Sequence, residues 1–213
     1  MTNLHCPLCQ SPANSPYFED QRRRFRQCHD CDLVFVEPRF YLSAVNEKLE
    51  YDKHQNSPDD MAYRGFLNRL VEPLQQRLKP ASVGLDFGCG PGPTLSQMLQ
   101  ELGHQVQLYD VYYQPNSSLL NQHYDFITAT EVVEHLSAPN QVLNQLWSIL
   151  RPGGILGIMT KQVIDRSHFA RWHYKNDLTH IIFFSPYSFT HFFRDKNASI
   201  EAINSDTLII TKN

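Results

Sequence analysis

A glycine-rich segment at residues 83–93 constrains the fold of this chain more than any other feature. It reads V-G-L-D-F-G-C-G-P-G-P, so a short apolar run ends in an acidic residue and glycines follow at every second position. Residues 94–102 then carry apolar side chains at helical spacing, at Leu95, Met98 and Leu99. The order of strand, glycine turn and helix predicts the first unit of a doubly wound α/β fold with a mostly parallel sheet.

Length and charge narrow the class of protein. The chain has 213 residues, of which 41 % are hydrophobic, enough for one ordinary domain and a small accessory one. A formal net charge of -3 favours neither a nucleic-acid coat nor an acidic tail. No apolar run reaches the roughly 18 residues of a membrane span, so no membrane partner is predicted. The first residues lack the pattern of a secretory signal, which predicts a cytoplasmic location.

Four of the cysteines form two C-x-x-C pairs, Cys6 with Cys9 and Cys28 with Cys31. Two such pairs can surround one zinc ion tetrahedrally, and the hairpin between them brings the second pair round. The alternative is a redox C-x-x-C, but that needs only one pair. In a chain without an export signal the pattern favours metal over disulfides. We therefore predict a zinc-ribbon-like module over residues 1–38, folded largely by its metal.

A basic run and a helical segment follow. The run R-R-R-F-R at residues 22–26 either grips phosphates or forms a solvated hairpin strand with Phe25 turned inward. Residues 39–80 are predicted to form a helical bridge or lid. Its first helix covers residues 41–51, and its second begins with Ser57 as N-cap and Pro58 at the first helical position. The polar residues 51–56 between them either act in a cleft or form a plain loop.

The pattern of strands continues after the glycine turn. Residues 104–110 predict a second strand that ends in Asp110, about twenty residues past the glycines, where a carboxylate reaches ribose hydroxyls. The alternative is a simple turn aspartate. Residues 124–130 predict a further strand, followed by the segment E-V-V-E-H. An amphipathic helix at 139–150 and a buried strand at 155–160 complete the pattern.

These motifs together resemble the class I S-adenosylmethionine-dependent methyltransferases. They are D-x-G-x-G-x-G at residues 86–92, Asp110, the strand at 124–130 with E-V-V-E-H after it, and L-R-P-G-G from residue 150. The match covers residues 83–161 well and extends loosely to the C-terminus. With its cysteine pairs the chain resembles a subgroup of small-molecule methyltransferases that carry a zinc module. The resemblance implies a Rossmann-like methyltransferase domain over 81–213, with S-adenosylmethionine and zinc as cofactors.

The resemblance also implies which residues hold the cofactor. The acidic residue before the glycines would order its methionine end, the glycines would let the backbone approach, and the aspartate of the second strand would bind its ribose. The residues after strand 124–130 would line the methionine and sulfonium side. The implied contacts are Asp86, Gly88, Cys89, Gly90, Gly92, Asp110, Val111, Thr130 and Glu131. Cys89 is interpreted as a small residue of the turn, since four other cysteines complete a metal site.

Two departures from the family pattern are visible. Asp110 and Asp125 are close in sequence, where the family usually fits a helix and another strand, so residues 111–124 are expected to be a loop or a shortened element. The strand at 124–130 also lacks the N/D-P-P-Y/F signature of enzymes that methylate exocyclic amines of bases or glutamine. Such acceptors are therefore disfavoured.

The residues beyond the last parallel strand are the predicted acceptor side, because ligands of such folds bind beyond the carboxyl ends of the strands. His180, His173 and Asp177 are the candidate catalytic residues, since a histidine with a pKa of about 6.5 can accept a proton at neutral pH. The alternative for His180 is a structural role, as a helix cap or a partner of a backbone carbonyl. Residues 186–193 predict a helix, and residues 199–211 predict a closing hairpin.

The predicted function is methyl transfer from S-adenosylmethionine to the oxygen or carbon of a small-molecule acceptor, by a monomer or homodimer. One alternative is an RNA methyltransferase in which the zinc module and the arginine run hold the nucleic acid, which the acidic net charge disfavours without excluding it. Another is a non-catalytic scaffold that only binds the cofactor.

Overall fold

The computed structural model describes residues 4–53 and 57–213; residues 1–3, and residues 54–56 of the predicted polar linker, lie outside the described residues. The strands are β1 (Asn14–Glu19), β2 (Arg24–Cys28), β3 (Val34–Val36), β4 (Val83–Phe87), β5 (Gln105–Tyr109), β6 (Tyr124–Thr130), β7 (Leu150–Met159), β8 (Ile182–Phe183), β9 (Ala198–Ala202) and β10 (Thr207–Lys212). The helices are α1 (Ala44–Tyr51), α2 (Met61–Gln75), α3 (Thr94–Glu101), α4 (Pro139–Ile149), α5 (Arg166–Arg171) and α6 (Pro186–Phe193).

The larger sheet has the order β5-β4-β6-β7-β10-β9. β4, β5, β6 and β7 run parallel, while β10 is antiparallel to both of its neighbours. Buried leucines of α2 and α3 pack on one face, and those of α4 pack on the other. The predicted doubly wound, mostly parallel α/β fold is therefore confirmed. The carboxyl ends of β4, β5 and β6 meet at one edge of this sheet, which is where such folds bind ligands.

The region after β5 is shortened, as its length predicts. Residues 111–123 contain a short 3-10 turn, Ser117–Asn121, and no strand within the described structure. The hydroxyl of Tyr124 donates to the carbonyl of Leu119 at 2.9 Å, which fixes this turn beside β6. β5 is consequently the edge strand of the larger sheet.

The start of α2 differs from the prediction. Its N-cap is Asp60 and not Ser57, because the Asp60 carboxylate accepts from the amides of Ala62 and Tyr63 at 2.9 and 3.1 Å. An aspartate is as good a cap as a serine, and its charge also favours the positive helix end. The Ser57 hydroxyl accepts instead from the amide of Asp59.

The two helices of the predicted bridge differ in burial. α2 continues past Pro73 to Gln75 and buries Leu70 and Leu74 against the larger sheet, so it belongs to one layer of the α/β fold. α1 buries no side chain, and Val45 is 71 % exposed. The boundaries at residues 38 and 80 stay a prediction. Within the described residues every helix is too short or too polar to cross a lipid bilayer.

The cysteine-bearing segment builds the smaller sheet, whose order is β1-β2-β3-β8. Its last strand comes from the far end of the chain, because Val34 of β3 pairs with Phe183 of β8. Phe169 of α5, which the sequence did not predict as a helix, lies fully buried against this sheet. Its ring contacts those of Phe25 and Phe183 at 5.2 and 5.3 Å between centroids. The smaller sheet therefore packs against elements from the C-terminal part of the chain, α5 and β8.

Arg23 departs most from the prediction for the basic run, because its side chain is buried. It is 2 % exposed, and its guanidinium donates to the backbone carbonyls of Lys175, Asp177, Leu178 and His180. Burial lowers its pKa to about 10, so it stays charged at neutral pH. Phe25 is turned inward as predicted. The run thus forms a hairpin strand, and Arg23 fastens it to the segment 175–180.

We expect Arg23→Ala to lower the free energy of unfolding by about 3 kcal/mol, because four backbone carbonyls, two of them in buried contacts, lose a charged donor. Arg23→Lys should recover only part of the loss, since one ammonium cannot match the planar fork of a guanidinium. Urea denaturation followed by tryptophan fluorescence measures the effect. Arg22→Ala, which changes an exposed neighbour, is the control and should leave the midpoint nearly unchanged. Equal midpoints for Arg23→Ala and Arg22→Ala would contradict the assigned role.

Candidate functional site

The four predicted metal ligands come together at the start of the smaller sheet. The Sγ atoms of Cys6 and Cys31 are 3.6 Å apart, those of Cys9 and Cys28 are 3.4 Å apart, and all four lie within 4.8 Å of one another. Thiolates bound to one zinc ion at about 2.3 Å are separated by about 3.8 Å in a tetrahedron. The cluster therefore has the dimensions of a four-thiolate metal site.

The two cysteine turns have matching backbone geometry. In each, the amide of the first cysteine donates to the carbonyl five residues later, at 2.8 Å in one turn and 2.9 Å in the other. The residue after the second cysteine, Gln10 or Asp32, has a left-handed backbone, with φ of 64° and 57°. The amides of Ser11 and Leu33 bond the second thiol of each turn. Such amide–sulfur bonds stabilise thiolates, the form that binds metal.

The glycine turn lies at the carboxyl end of β4. Gly88 has a φ of 75°, and a Cβ atom there would lie 2.5 Å from Cγ2 of Val132. Gly90 has a φ of 63°, and a Cβ atom there would meet nothing within 4 Å. The first glycine is therefore required by the close approach of the segment after β6. The second leaves open space beside its backbone, which is the room that a ligand needs.

Asp110 sits directly across from this turn. Its Oδ2 accepts from the amide of Gly90 at 3.1 Å, and its Oδ1 accepts from the amides of Tyr112 and Tyr113 at 2.8 and 3.1 Å. The carboxylate thus shapes the glycine turn and the start of the shortened region together. Asp110 thus has the turn-forming role considered as the alternative, and its ribose contact stays a prediction.

Asp86 is enclosed within the fold. It is 2 % exposed and accepts from the hydroxyls of Ser96 and Thr128 at 2.6 and 2.8 Å. Burial raises the pKa of its carboxyl group. Asp86 therefore joins α3 to β6 beneath the glycine turn, and its contact with the methionine end of a cofactor stays a prediction.

The remaining predicted cofactor residues surround the same edge. Burial raises the pKa of the Cys89 thiol to about 12, so it is a neutral small residue of the turn, as interpreted from the sequence. The carbonyl of Gly92 accepts from the amide that begins α3. Val111 is 64 % exposed, and Thr130 is half-buried at the end of β6.

The segment E-V-V-E-H leaves β6 in a strained turn. Glu131 has a φ of 52°, unusual for a residue with a side chain, and its amide donates to the carbonyl of Met159 at 2.8 Å. Burial and the charge of Glu134 raise the pKa of Glu131 to about 8, and burial raises that of Glu134 to about 7. The Tyr174 hydroxyl contacts both carboxylates. Two buried acids thus share one hydroxyl group.

Two histidines complete this polar cluster. His135 and His180 lie with their ring centroids 4.8 Å apart. Nδ1 of His135 bonds the carbonyl of Thr179 at 3.0 Å, and Nδ1 of His180 bonds the carbonyl of Tyr174 at 2.8 Å. Burial lowers the pKa of both rings, to about 4 for His180, so both are neutral at pH 7.

The structure brings two of the three predicted catalytic residues together. Oδ2 of Asp177 lies 3.9 Å from Nε2 of His180, beyond hydrogen-bond distance. His173 is exposed and its Nε2 accepts from Nζ of Lys161 at 3.0 Å. His180 has the structural role considered above, since its Nδ1 bonds a backbone carbonyl. Its Nε2 is left available to bind a proton or a ligand.

Helix α1 packs against the polar cluster of Glu131, Glu134, His135 and His180 through Tyr51. The ring of Tyr51 contacts that of His135 edge-on at 5.3 Å. Glu47 accepts from the hydroxyls of Tyr51 and Tyr112, and Asp52 accepts from that of Tyr113. The helix is therefore tied to the residues that follow Asp110, and its role as a lid stays a prediction.

The sequence interpretation assigned no individual role to Glu134 or His135, and it included Tyr51 and Tyr174 only as members of the polar segment 51–56 and of the loop at the acceptor side. The first two stand in the quoted segment E-V-V-E-H, whose acidic and imidazole groups were an available signal. Their orientation depends on the 3-10 turn Val133–His135, which follows from the strained φ of Glu131. The two tyrosines enter from distant elements, and no local pattern indicates that.

Comparison with solved structures supports the architecture. The 1,6-didemethyltoxoflavin-N1-methyltransferase of Burkholderia thailandensis, solved with S-adenosylhomocysteine and 1,6-didemethyltoxoflavin, has a TM-score of 0.51 and 15 % identity, over 92 % of this chain and 97 % of that chain. CalO1, a methyltransferase in calicheamicin biosynthesis solved with S-adenosylhomocysteine, has a TM-score of 0.50 and 15 % identity, over 79 % of this chain and 58 % of that chain. At these identities the likeness concerns the fold.

Comparison of sequences identifies the family. An uncharacterized 37.1 kDa protein in transposon TN4556 of Streptomyces fradiae is 26 % identical in an alignment 177 residues long, which covers 70 % of this chain and 47 % of that protein. The chain thus spans about half the length of this relative. A family model described as a methyltransferase domain matches residues 59–203, from the start of α2 to the final hairpin. The chain therefore belongs to the methyltransferase domain family, as the glycine turn and its neighbouring motifs predict.

Proposed function

We propose that this protein transfers a methyl group from S-adenosylmethionine to an oxygen or carbon atom of a small-molecule acceptor. The observation that carries the proposal is the open space beside Gly90, next to the Asp110 carboxylate, at the carboxyl ends of β4 and β5. Gly90 exposes its backbone there because no side chain covers it. Asp110 follows β5 about twenty residues after the glycines, the position from which a carboxylate would accept from ribose hydroxyls.

The proposed cofactor supplies a methyl carbon activated by a positive sulfur, which takes the bonding electron pair when the acceptor attacks. The protein's task is to align the two partners, and alignment alone can contribute about 7–11 kcal/mol. The glycine turn and Asp110 would hold one partner. The turn that follows Thr130 would face the sulfur, because the left-handed φ of Glu131 directs the chain across the end of the sheet. Helix α1 would exclude water from above.

The likeness to the Burkholderia and calicheamicin proteins supports the cofactor, because both were solved with S-adenosylhomocysteine. The acceptor side follows from the loop 173–180. Its candidate catalytic residues are those predicted from the sequence, His180, Asp177 and His173. His180 is the best placed of them, since it is buried with its Nε2 open, whereas His173 is exposed.

We also propose that Cys6, Cys9, Cys28 and Cys31 bind zinc as a structural ion. The dimensions of the cluster and its matched amide–sulfur bonds support this assignment. The carbonyl of Cys31 accepts from the hydroxyl of Ser188 in α6 at 2.9 Å. Zinc would therefore stabilise contacts between the smaller sheet and the C-terminal part of the chain.

Isothermal calorimetry with S-adenosylhomocysteine tests the cofactor. We expect one binding site per chain, and a loss of affinity of about 10–100-fold for Asp110→Ala, which removes a charged hydrogen-bond acceptor. Asp195→Ala, at an exposed carboxylate far along the chain, is the control and should bind like the wild type. Absence of binding to the wild-type protein would refute the proposed function, and unchanged affinity of Asp110→Ala would refute the ribose assignment.

Metal analysis of the purified protein tests the zinc site. We expect one zinc ion per chain, lost in Cys9→Ser together with a lower urea midpoint, because metal binding contributes folding free energy in such small modules. Cys89→Ser is the matched control, since this thiol lies in the glycine turn, and it should retain zinc. Full zinc content in Cys9→Ser would contradict the four-thiolate assignment.

A further inference from the structure

Three side chains beside the predicted acceptor loop form a second cluster with metal-ligand chemistry. Glu134, His135 and His180 each place one ligand atom within 4.8 Å of the other two. They come from two separate segments of chain, the 3-10 turn after β6 and the loop before β8. Three ligands on one ion at about 2.1 Å lie at most about 3.6 Å apart on average, so these atoms would approach one another by up to about 1.2 Å to share one coordination sphere.

Both histidines are prepared as ligands. A carbonyl oxygen only accepts hydrogen bonds, so Nδ1 of His135 must donate to Thr179, and Nδ1 of His180 must donate to Tyr174. Each Nε2 then carries a lone pair and no hydrogen. This is the arrangement in which metal-binding histidines are usually held, with the second ring nitrogen oriented by a backbone acceptor. The opposite tautomers would leave two buried carbonyls without donors.

The carboxylate of Glu134 lacks a counter-charge. Glu134 is fully buried, its Oε1 accepts from the Tyr174 hydroxyl, and its Oε2 has no hydrogen-bond partner. Within residues 4–53 and 57–213, no lysine or arginine nitrogen lies within 4.0 Å of either Glu131 or Glu134. A buried oxygen atom without a hydrogen-bond partner marks a position where a water molecule or an ion can bind.

We propose that Glu134, His135 and His180 bind a divalent cation at the acceptor side of the cleft. Two imidazole nitrogens and one carboxylate oxygen suit ions that accept nitrogen and oxygen ligands, such as Mn²⁺, better than ions that demand an all-oxygen site. This site is distinct from the four-thiolate site, which suits zinc. Three protein ligands leave positions of the ion open, so an acceptor oxygen can approach it beside the cofactor cleft.

The inference deepens the proposed function and rests on it for the role of the ion, but not for its binding. An ion at this place would hold an acceptor oxygen and favour its deprotonated form, which selects oxygen nucleophiles among the acceptors considered. His180 would then act as a ligand of the ion and not as the proton acceptor. Tyr174 would be a positioning residue, because it bonds Glu134 through its hydroxyl and His180 through its carbonyl.

Titration of the zinc-loaded full-length protein with Mn²⁺ tests the proposal, with unbound Mn²⁺ followed by its electron paramagnetic resonance signal. The titration is run with and without S-adenosylhomocysteine. We expect one bound Mn²⁺ per chain, and affinity at least tenfold weaker in Glu134→Gln and in His180→Gln, because each removes a ligand. His123→Gln, at an exposed histidine outside the cluster, is the control and should bind Mn²⁺ as the wild type does.

Circular dichroism of each variant shows whether it is folded, and the two glutamine substitutions keep nearly the volume of the residues they replace. Failure of the wild-type protein to bind Mn²⁺ under either condition would overturn the inference, as would equal affinity in the wild type and the folded ligand variants. Binding of S-adenosylhomocysteine in those samples is scored separately. Cofactor binding without Mn²⁺ binding would leave the proposed function in place. Mn²⁺ binding without cofactor binding would refute the proposed function and leave the inferred metal site in place.

Discussion

The contact on which this structure most depends is the buried guanidinium of Arg23. One charged group from the smaller sheet holds four backbone carbonyls of the segment 175–180, and that segment supplies His180 and Tyr174 to the polar cluster. A planar cation with five donors suits this task, because a loop that displays several carbonyls inward has no partner of its own. The cysteine-bearing segment thereby determines the shape of the loop that carries Tyr174 and His180.

A second constraint links the two halves of the cleft. Val132 packs so closely on Gly88 that no Cβ atom fits between them, and Glu131 beside it carries a left-handed backbone. Such strain persists only where surrounding contacts over-determine it, and it concentrates at functional sites. Here the strained turn directs Glu134 and His135 toward the loop 173–180 while it covers the first glycine. The geometry of the glycine turn and the approach of Glu134 and His135 to the loop 173–180 are thus set by the same few residues.

The sequence predicts the fold well because each parallel strand is a local apolar run with a recognisable end. β6 and β10 begin at the predicted residues, and the shortened region after Asp110 follows from counting residues. The four cysteines are likewise predictable, since their spacing alone implies a cluster. The direction in which a side chain points cannot be predicted in this way. Arginine in a basic run normally faces solvent, so the burial of Arg23 depends on carbonyls that lie 152 and 154 residues further along the chain. The metal-ligand cluster depends on tautomers and on one unusual φ, which no periodicity encodes.

The pairing of β3 with β8 has a consequence for the order in which the protein can fold. The cysteine turns are complete within the first fifth of the chain, and metal can close them as soon as they are made. β3 nevertheless keeps an unpaired edge until residues 182–183 have been synthesised, because those residues supply its partner. Contacts of such long sequence separation form late. An open, apolar edge that persists during synthesis is a site for unwanted strand pairing, so the brevity of β3 is itself protective. The smaller sheet is therefore completed only when the C-terminal part of the chain that carries residues 182–183 has been made.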